Sequence, residues 1–598
     1  MILKALYDYY NRCGDDIVPM DMAYVDFYYS IVLDEKGNFI RLEPLGGDSG
    51  LPLLTFRPEE RTSAPVPHCM GDHAGYILGL KEVKAKENFD YAREMTRNEK
   101  TLTAFKKDIE NYFNILPNNS FVQAIHAFYK KFSLETINTI KHDSHWVDFC
   151  KYLAKNITFS VIGINGYAAS DNEILQVKKQ SKSNENKKAV CLITGVKEKP
   201  INTTYSSFIL GGKSNAKLVA FQVNSGYDSY GKKMGLNAPI SEEAEFKYTT
   251  ALLKLLSKNS RNKFRIGDRS FIFWASSNSE AAEQTEGSLF DLLGYTEEEV
   301  DDPNAKIEQV RKVFTAIYSG SLKTSLEDRF YILGLAPNSA RIAVVYWSEC
   351  SLKEFAGKIL CHFKDMEIKD TRKDGKPYMA IDSMLSAVTR HSNDGKWRNN
   401  ITPNLTESIV KSIFQGTPYP FTLFSACIRR ISAESGSKDA IRIARMAIIK
   451  AYLNRTNSNN KKIEIMLDKS NTNQGYLCGR LFAVLDKIQV DANGGSSIRE
   501  RYMNAASATP ASVFATILNL SSHHMEKLSN QGKKIFFEKM KQEIMDKIPA
   551  TGFPTHTVFN TSRNVDFYDF ITFYDTITAT LCTCSLSLHH AEHTAHRF

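Results

Sequence analysis

The chain has 598 residues, of which 42% are hydrophobic and 24% charged, and it carries a formal net charge of +9 at pH 7. These are the proportions of a globular protein able to bury substantial cores, and no stretch approaches the roughly 18–20 apolar residues that span a bilayer. Single cores stop growing near about 250–300 residues, so two or more domains are expected, and the basic balance is compatible with a polyanionic partner without requiring one.

The first ten residues carry too short an apolar run, and turn charged too soon, for a secretory signal. The 10 cysteines are scattered, with no CxxC pair and only Cys582 and Cys584 close together. That usage points to a reducing compartment, free thiols and no structural zinc. A cytoplasmic protein with no cofactor and no membrane partner is expected.

Residues 1–90 read as β-rich. A strand at 27–33, a turn at 34–38 and a second strand at 39–42 make a hairpin, and the Gly/Pro-rich segment 44–67 reads as loops. Residues 91–177 read as helical: Phe105, Ile109, Tyr112 and Phe113 share one face, and Phe121, Ile125, Phe128 and Tyr129 another. The lysine-rich stretch 178–188 is an exposed linker. Residues 189–400 form a mixed α/β region, with strands at 189–193, 217–221, 270–274 and 341–347 and a helix N-capped by Ser241.

Residues 405–455 form a basic helical region in which Ile441, Ala444, Ile448, Ile449 and Tyr452 share a face. After a polar linker at 454–462, residues 463–598 read as a helical bundle. It opens with an amphipathic helix bearing Leu477, Leu481, Val484, Leu485 and Ile488 and continues with one at 510–528. The fold class is therefore α+β: mixed N-terminal and middle regions with antiparallel hairpins, followed by a C-terminal helical bundle.

The nearest phosphate-loop motif is Gly211-Gly212-Lys213-Ser214, but the required first glycine is replaced by Ser207. A plain glycine turn is the stronger reading, and Lys213 can touch a phosphate backbone without hydrolysing anything. Metal-assisted nucleolysis needs clustered acids or histidines. Asp228 and Asp268 stand alone, His142 and His145 lack a third ligand, and His523 and His524 diverge around a helix.

The basic residues are more suggestive. Arg429 and Arg430 precede a helix bearing Arg442, Arg445 and Lys450, with the apolar residues on the opposite face. A phosphate-contacting stripe and a solvated charged face stand about even there. The loop 226–237 combines glycines, tyrosines and the cations Lys232 and Lys233. Glycines admit close backbone approach, tyrosines stack and lysines neutralise phosphate, with an ordinary long loop as the alternative.

Taken in order, several segments resemble the large subunit of the type I-C CRISPR Cascade. They are Leu3-Lys4-Ala5-Leu6-Tyr7-Asp8-Tyr9-Tyr10, Arg61-Thr62-Ser63 with Asp72-His73-Ala74-Gly75-Tyr76, Cys191-Leu192-Ile193-Thr194-Gly195, and Ser229-Tyr230-Gly231 with Asn237-Ala238-Pro239. Further on come Leu333-Gly334-Leu335-Ala336-Pro337-Asn338, Tyr476-Leu477-Cys478-Gly479-Arg480 and Ala505-Ala506-Ser507-Ala508-Thr509-Pro510. The resemblance implies a non-catalytic subunit that recognises the protospacer-adjacent motif in double-stranded target DNA, aids strand opening and recruits a helicase-nuclease. Base pairing then reads the long target and protein reads a short duplex motif.

It also implies crRNA-bound Cascade backbone subunits as partners, and a small subunit of roughly 130 residues made from an internal start, with Met466 the best-placed methionine. The loop around Arg61, Thr62 and His73 is the expected motif reader. The family more often has Asn where His73 stands, and either side chain can hydrogen-bond a base edge; the plainer alternative has residues 61–63 merely fixing a turn. After His556 the resemblance stops, which is read as a reading-frame shift near residue 557 that removes the last bundle helix. Two other readings stay open: a stand-alone nuclease or nucleotide-dependent enzyme, and an assembly scaffold without DNA contact.

Overall fold

The computed structural model describes residues 1–555 apart from 62–64, 82–88, 181–187, 223–227, 229, 267–268, 293–302, 326, 369–380, 392–396, 403, 435–442, 457–461, 465–466 and 496. The chain divides into two units. One holds Met1–Phe208, Gly212–Lys254 and Asn338–Ile342; the other holds Ile209–Gly211, Leu255–Pro337 and the chain from Ala343 on.

The first unit is organised by a twelve-residue strand, β1 (Met22–Leu33). It turns into β2 (Phe39–Pro44) as the expected hairpin, with Ile31 opposite Leu42 and Val32 opposite Arg41. Asp34 closes the turn by accepting from the amides of Lys36 at 2.9 Å and Asn38 at 2.8 Å. The first half of β1 pairs antiparallel with β3 (Leu51–Phe56). The sheet is completed by β4 (Gly71–His73) and β5 (Asn156–Val161), in the order β2-β1-β5-β4.

β5 runs parallel to β1 and antiparallel to β4. It lies inside the stretch read as wholly helical. Every residue of it after Asn156 is buried, so it lacks the alternation that betrays a half-exposed strand. The helices Glu99–Ile115 and Ser120–Lys131 present the expected apolar faces, burying Phe105, Ile109, Tyr112, Phe121, Ile125, Phe128 and Tyr129, while Phe113 is partly buried. The rings of Phe105, Phe128 and Tyr129 meet Phe159 of β5 at centroid separations of 6.1–6.5 Å.

Two expected strands shrink. Only Ala189–Val190 (β6) is extended, pairing with Lys197–Glu198 (β7), and Lys217 makes a lone bridge to Arg341. The Ser241 cap is present: its Oγ accepts from the Ala244 amide at 3.2 Å and starts the helix Glu242–Leu256.

Apart from Asn338–Ile342, the second unit holds the strands β8 (Lys263–Ile266), β9 (Arg269–Ala275), β10 (Arg329–Asn338) and β11 (Arg341–Ser351), in the order β11-β10-β9-β8. Gly334 is obligatory in β10, because a Cβ there would lie 2.7 Å from the Phe271 ring and 2.8 Å from the Tyr346 Cβ. One apolar core runs from Phe264 through the helices Leu352–Met366, Leu405–Phe414, Phe421–Ala433 and Ile443–Thr456 to Ile544.

The last four described helices form the expected bundle. Gln474–Asn493 packs on Ser497–Ala508, Pro510–Lys527 and Gln531–Met545. It is not the amphipathic surface helix its spacing suggests. Cys478, Arg480, Phe482 and Ala483 are as buried as Leu477 and Leu481, which marks the centre of a bundle. Among the described residues no helix is long and apolar enough to cross a membrane.

Candidate nucleic-acid interface

Residues 57–70 join β3 to β4, and a buried acid gathers described residues on either side of that connection. Asp72 on β4 has no exposed side-chain surface. Its Oδ2 accepts the His68 amide at 3.0 Å and the guanidinium of Arg61, and its Oδ1 accepts the His73 amide at 2.8 Å. A buried carboxylate persists only with its lone pairs satisfied, and here three donors do so. Arg61 also donates from Nε to the Val66 carbonyl at 2.8 Å and lies 4.2 Å from the Tyr76 ring centre. Thr62 lies outside the described residues.

His73 caps the short helix Ala74–Ile77, its Nδ1 accepting from the Gly75 amide at 3.1 Å. Gly75 is required there, since a Cβ would lie 2.8 Å from the imidazole. Burial lowers the His73 pKa from its ordinary value; Asp72 opposes the shift and Arg61 adds to it. Burial thus favours the neutral ring, and with Nδ1 used as acceptor its proton belongs on Nε2.

The remaining cations fall into two groups. Lys213, Lys232, Lys233 and Arg429 are exposed. Lys213 sits in a turn closed by the Ala216 amide on its own carbonyl at 3.0 Å, and no helix begins in the described residues between it and Met234, so the geometry is not that of a phosphate loop.

The expected stripe of Arg430, Arg442, Arg445 and Lys450 is not a surface stripe where it is described. Arg445 is 1% exposed, pairs with Glu434 at 2.8 Å and donates to the Ala387 carbonyl at 2.8 Å. Lys450 is buried and donates to the carbonyls of Lys364 and Asp365 at 3.3 and 3.0 Å. Arg430 pairs with Glu434. Arg442 lies outside the described residues. The physical reason is helix termination: the helix Leu352–Met366 leaves carbonyls unsatisfied at its end, and Lys450 supplies the donors. Arg455 does the same for Ser412 near the end of Leu405–Phe414, while pairing with Asp365 at 2.6 Å.

A cavity of about 540 Å³ opens beside Arg57, Glu59, Lys178, Tyr205 and Glu245. Its lining carries five acids against three bases, which disfavours a phosphate-rich occupant. Among the described residues no group of three His, Cys, Asp or Glu side chains is placed to hold a metal ion.

Sequence reasoning missed the organising role of Asp72 and the burial of Arg445 and Lys450. No local signal marks the first, since two of the three donors to Asp72 come from Arg61 and His68.

Comparison with known families places the chain among the CRISPR-associated proteins. The matching family is the CRISPR-associated protein Cas_Csd1, whose model covers residues 6–564, and the chain belongs to that family. No curated protein matches it.

Proposed function

We propose that this chain is the large, non-catalytic subunit of a type I-C Cascade, recognising a short motif in duplex DNA beside the guide-paired target. The observation that carries the reading is the family match across residues 6–564. The contacts of Asp72 support it: the acid holds Arg61 and the His73 amide, and Arg61 and the Nε2–H of His73 are the groups offered for a base edge or phosphate. Lys213, Lys232, Lys233 and Arg429 supply sequence-independent phosphate attraction. In this reading the partners are crRNA-bound backbone subunits, double-stranded target DNA, a small subunit begun at Met466 and a helicase-nuclease that docks after strand opening.

The test is co-purification of the chain with backbone subunits and crRNA, then binding to duplexes varied at the flanking motif. The expected result is a stable complex whose affinity depends on the motif and falls steeply with salt. A complex with motif-independent, salt-insensitive binding sinks the reading.

A further inference from the structure

The cavity of about 540 Å³ takes its lining entirely from the first unit. A volume of that order suits a small molecule. Its acids come from three places in the chain: Asp21 ahead of β1, Glu59 and Glu60 after β3, and Glu242 and Glu245 in the first turn of the helix Glu242–Leu256. Arg57 and Lys199, two of its bases, are paired within the lining, with Glu245 at 3.1 Å and Glu242 at 3.2 Å. Lys217, which does not line the cavity, reaches Glu60 at 3.5 Å. Glu59 is exposed and enters no ion pair or hydrogen bond among the described residues. Lys178, the remaining base, also faces Asp108, whose carboxyl is pushed above its ordinary range by burial, with Lys178 opposing the shift and Glu59 adding to it.

One wall of the cavity already holds a cation. The Arg57 guanidinium lies 3.8 Å from the Tyr205 ring centre and 5.2 Å from that of Phe246, and it donates to the Glu245 carboxylate. Aromatic faces beside carboxylates attract cations through ring quadrupole and charge together. Phe56, Pro58 and Ile201 add apolar surface to the same lining. A ligand suited to both carries ammonium groups joined by methylenes. An anion meets an excess of carboxylates, and an uncharged apolar molecule strips water from those carboxylates without replacing it.

We propose that this cavity binds a linear aliphatic polyamine, its ammonium groups taken by Asp21 and Glu59 and its methylenes by the apolar lining. The site is a small-molecule site, and it does not rest on the DNA-contacting reading above.

The experiment is calorimetric titration of spermidine into the full-length chain freed of nucleic acid, with an uncharged diol of matching chain length as the control ligand. Saturable binding of spermidine and none of the diol is expected. The double variant Asp21→Asn with Glu59→Gln should weaken spermidine binding by at least roughly tenfold, the lower range of one lost charge-assisted hydrogen bond. Both changes keep side-chain shape, and Asn tolerates the left-handed φ of 69° that Asp21 holds. Glu59→Gln alone, at an exposed position, should show part of the same loss. A wild-type chain that does not bind spermidine overturns the proposal. So does a double variant that binds it as tightly as wild type, or a diol that binds as well as the amine.

Discussion

Arg61 and Asp72 form an ion pair whose acid is wholly buried and whose base reaches water, with side-chain exposures of 26% and 0%. The asymmetry decides what each substitution does. Arg61→Ala strands a carboxylate that cannot hydrate, and breaking a buried pair in this way costs about 3–5 kcal/mol. Asp72→Asn leaves a guanidinium that can turn to solvent and keeps an acceptor for a backbone amide, so its cost should be nearer 1–3 kcal/mol, roughly that of one unsatisfied group. Denaturant unfolding followed on the N-terminal transition of both variants measures the difference. Equal costs would show that the pair does not organise the loop.

A second consequence concerns pH. Burial pushes the His68 pKa down to about 4; Asp72 resists the shift and Arg61 reinforces it. The folded value is below the unfolded value near 6.5, so between those two pH values the unfolded chain binds a proton the folded chain does not. Stability from this group is complete above about pH 6.5 and is lost as pH falls towards 4, at up to ~1.4 kcal/mol per pH unit. Unfolding curves at pH 7.5, 6 and 5 should show the slope, and His68→Gln should flatten it. An unchanged slope in the variant assigns the acid sensitivity elsewhere.

The parts of the fold that were legible in the sequence are those whose partners lie close along the chain. The β1–β2 hairpin, the Ser241 cap and the apolar faces at Phe105 and Phe121 follow from local periodicity and local hydrogen bonding. β5 was not legible because it is buried along its length and its parallel partner begins more than a hundred residues earlier. The burial of Lys450 was not legible because the carbonyls that claim it sit on a helix reached only through the tertiary fold. Asp72 stood in view, but nothing local reveals that an acid next to a capping histidine gathers three donors.

That distinction separates two kinds of basic residue by experiment. Arg445→Met should lower the stability of the second unit by about 3 kcal/mol, since it removes a buried cation from Glu434 and Ala387, and should leave the salt dependence of DNA binding intact. Lys232→Ala should change stability by less than ~0.5 kcal/mol and reduce the slope of log affinity against log salt by about one unit. Titrations at several salt concentrations, paired with unfolding curves, read both. A flattened slope in Arg445→Met with unchanged stability would put that side chain back on the surface.

Three helices pack around Gln474–Asn493 in the last described bundle, and Met466 precedes all four. An internal start there yields a product that keeps the central helix, whereas a start at Met503 discards it and with it Leu477, Leu481, Val484 and Leu485. Expression of the coding sequence with initiation at Met466 silenced should remove a band of roughly 130 residues while the full-length chain remains. Persistence of the band in that variant rejects Met466 as its origin.

The centre of the same bundle holds a cation that is poorly served. Arg480 is 1% exposed and pairs with Glu543 at 3.1 Å, but its Nε and Nη1 find no hydrogen-bond partner among the described residues. Glu543 is 37% exposed, so water weakens the attraction while the guanidinium bears nearly all the desolvation. Replacing a buried, incompletely bonded ion by an apolar side chain of similar length is often neutral or stabilising by about 1–4 kcal/mol. Arg480→Met should therefore hold or raise the unfolding midpoint of the second unit. Glu543→Ala should lower it, because it leaves the buried guanidinium with no counter-charge. A double-mutant cycle over the two positions measures the coupling. Strong destabilisation by Arg480→Met would mean that the guanidinium is bonded in solution by groups beyond Glu543.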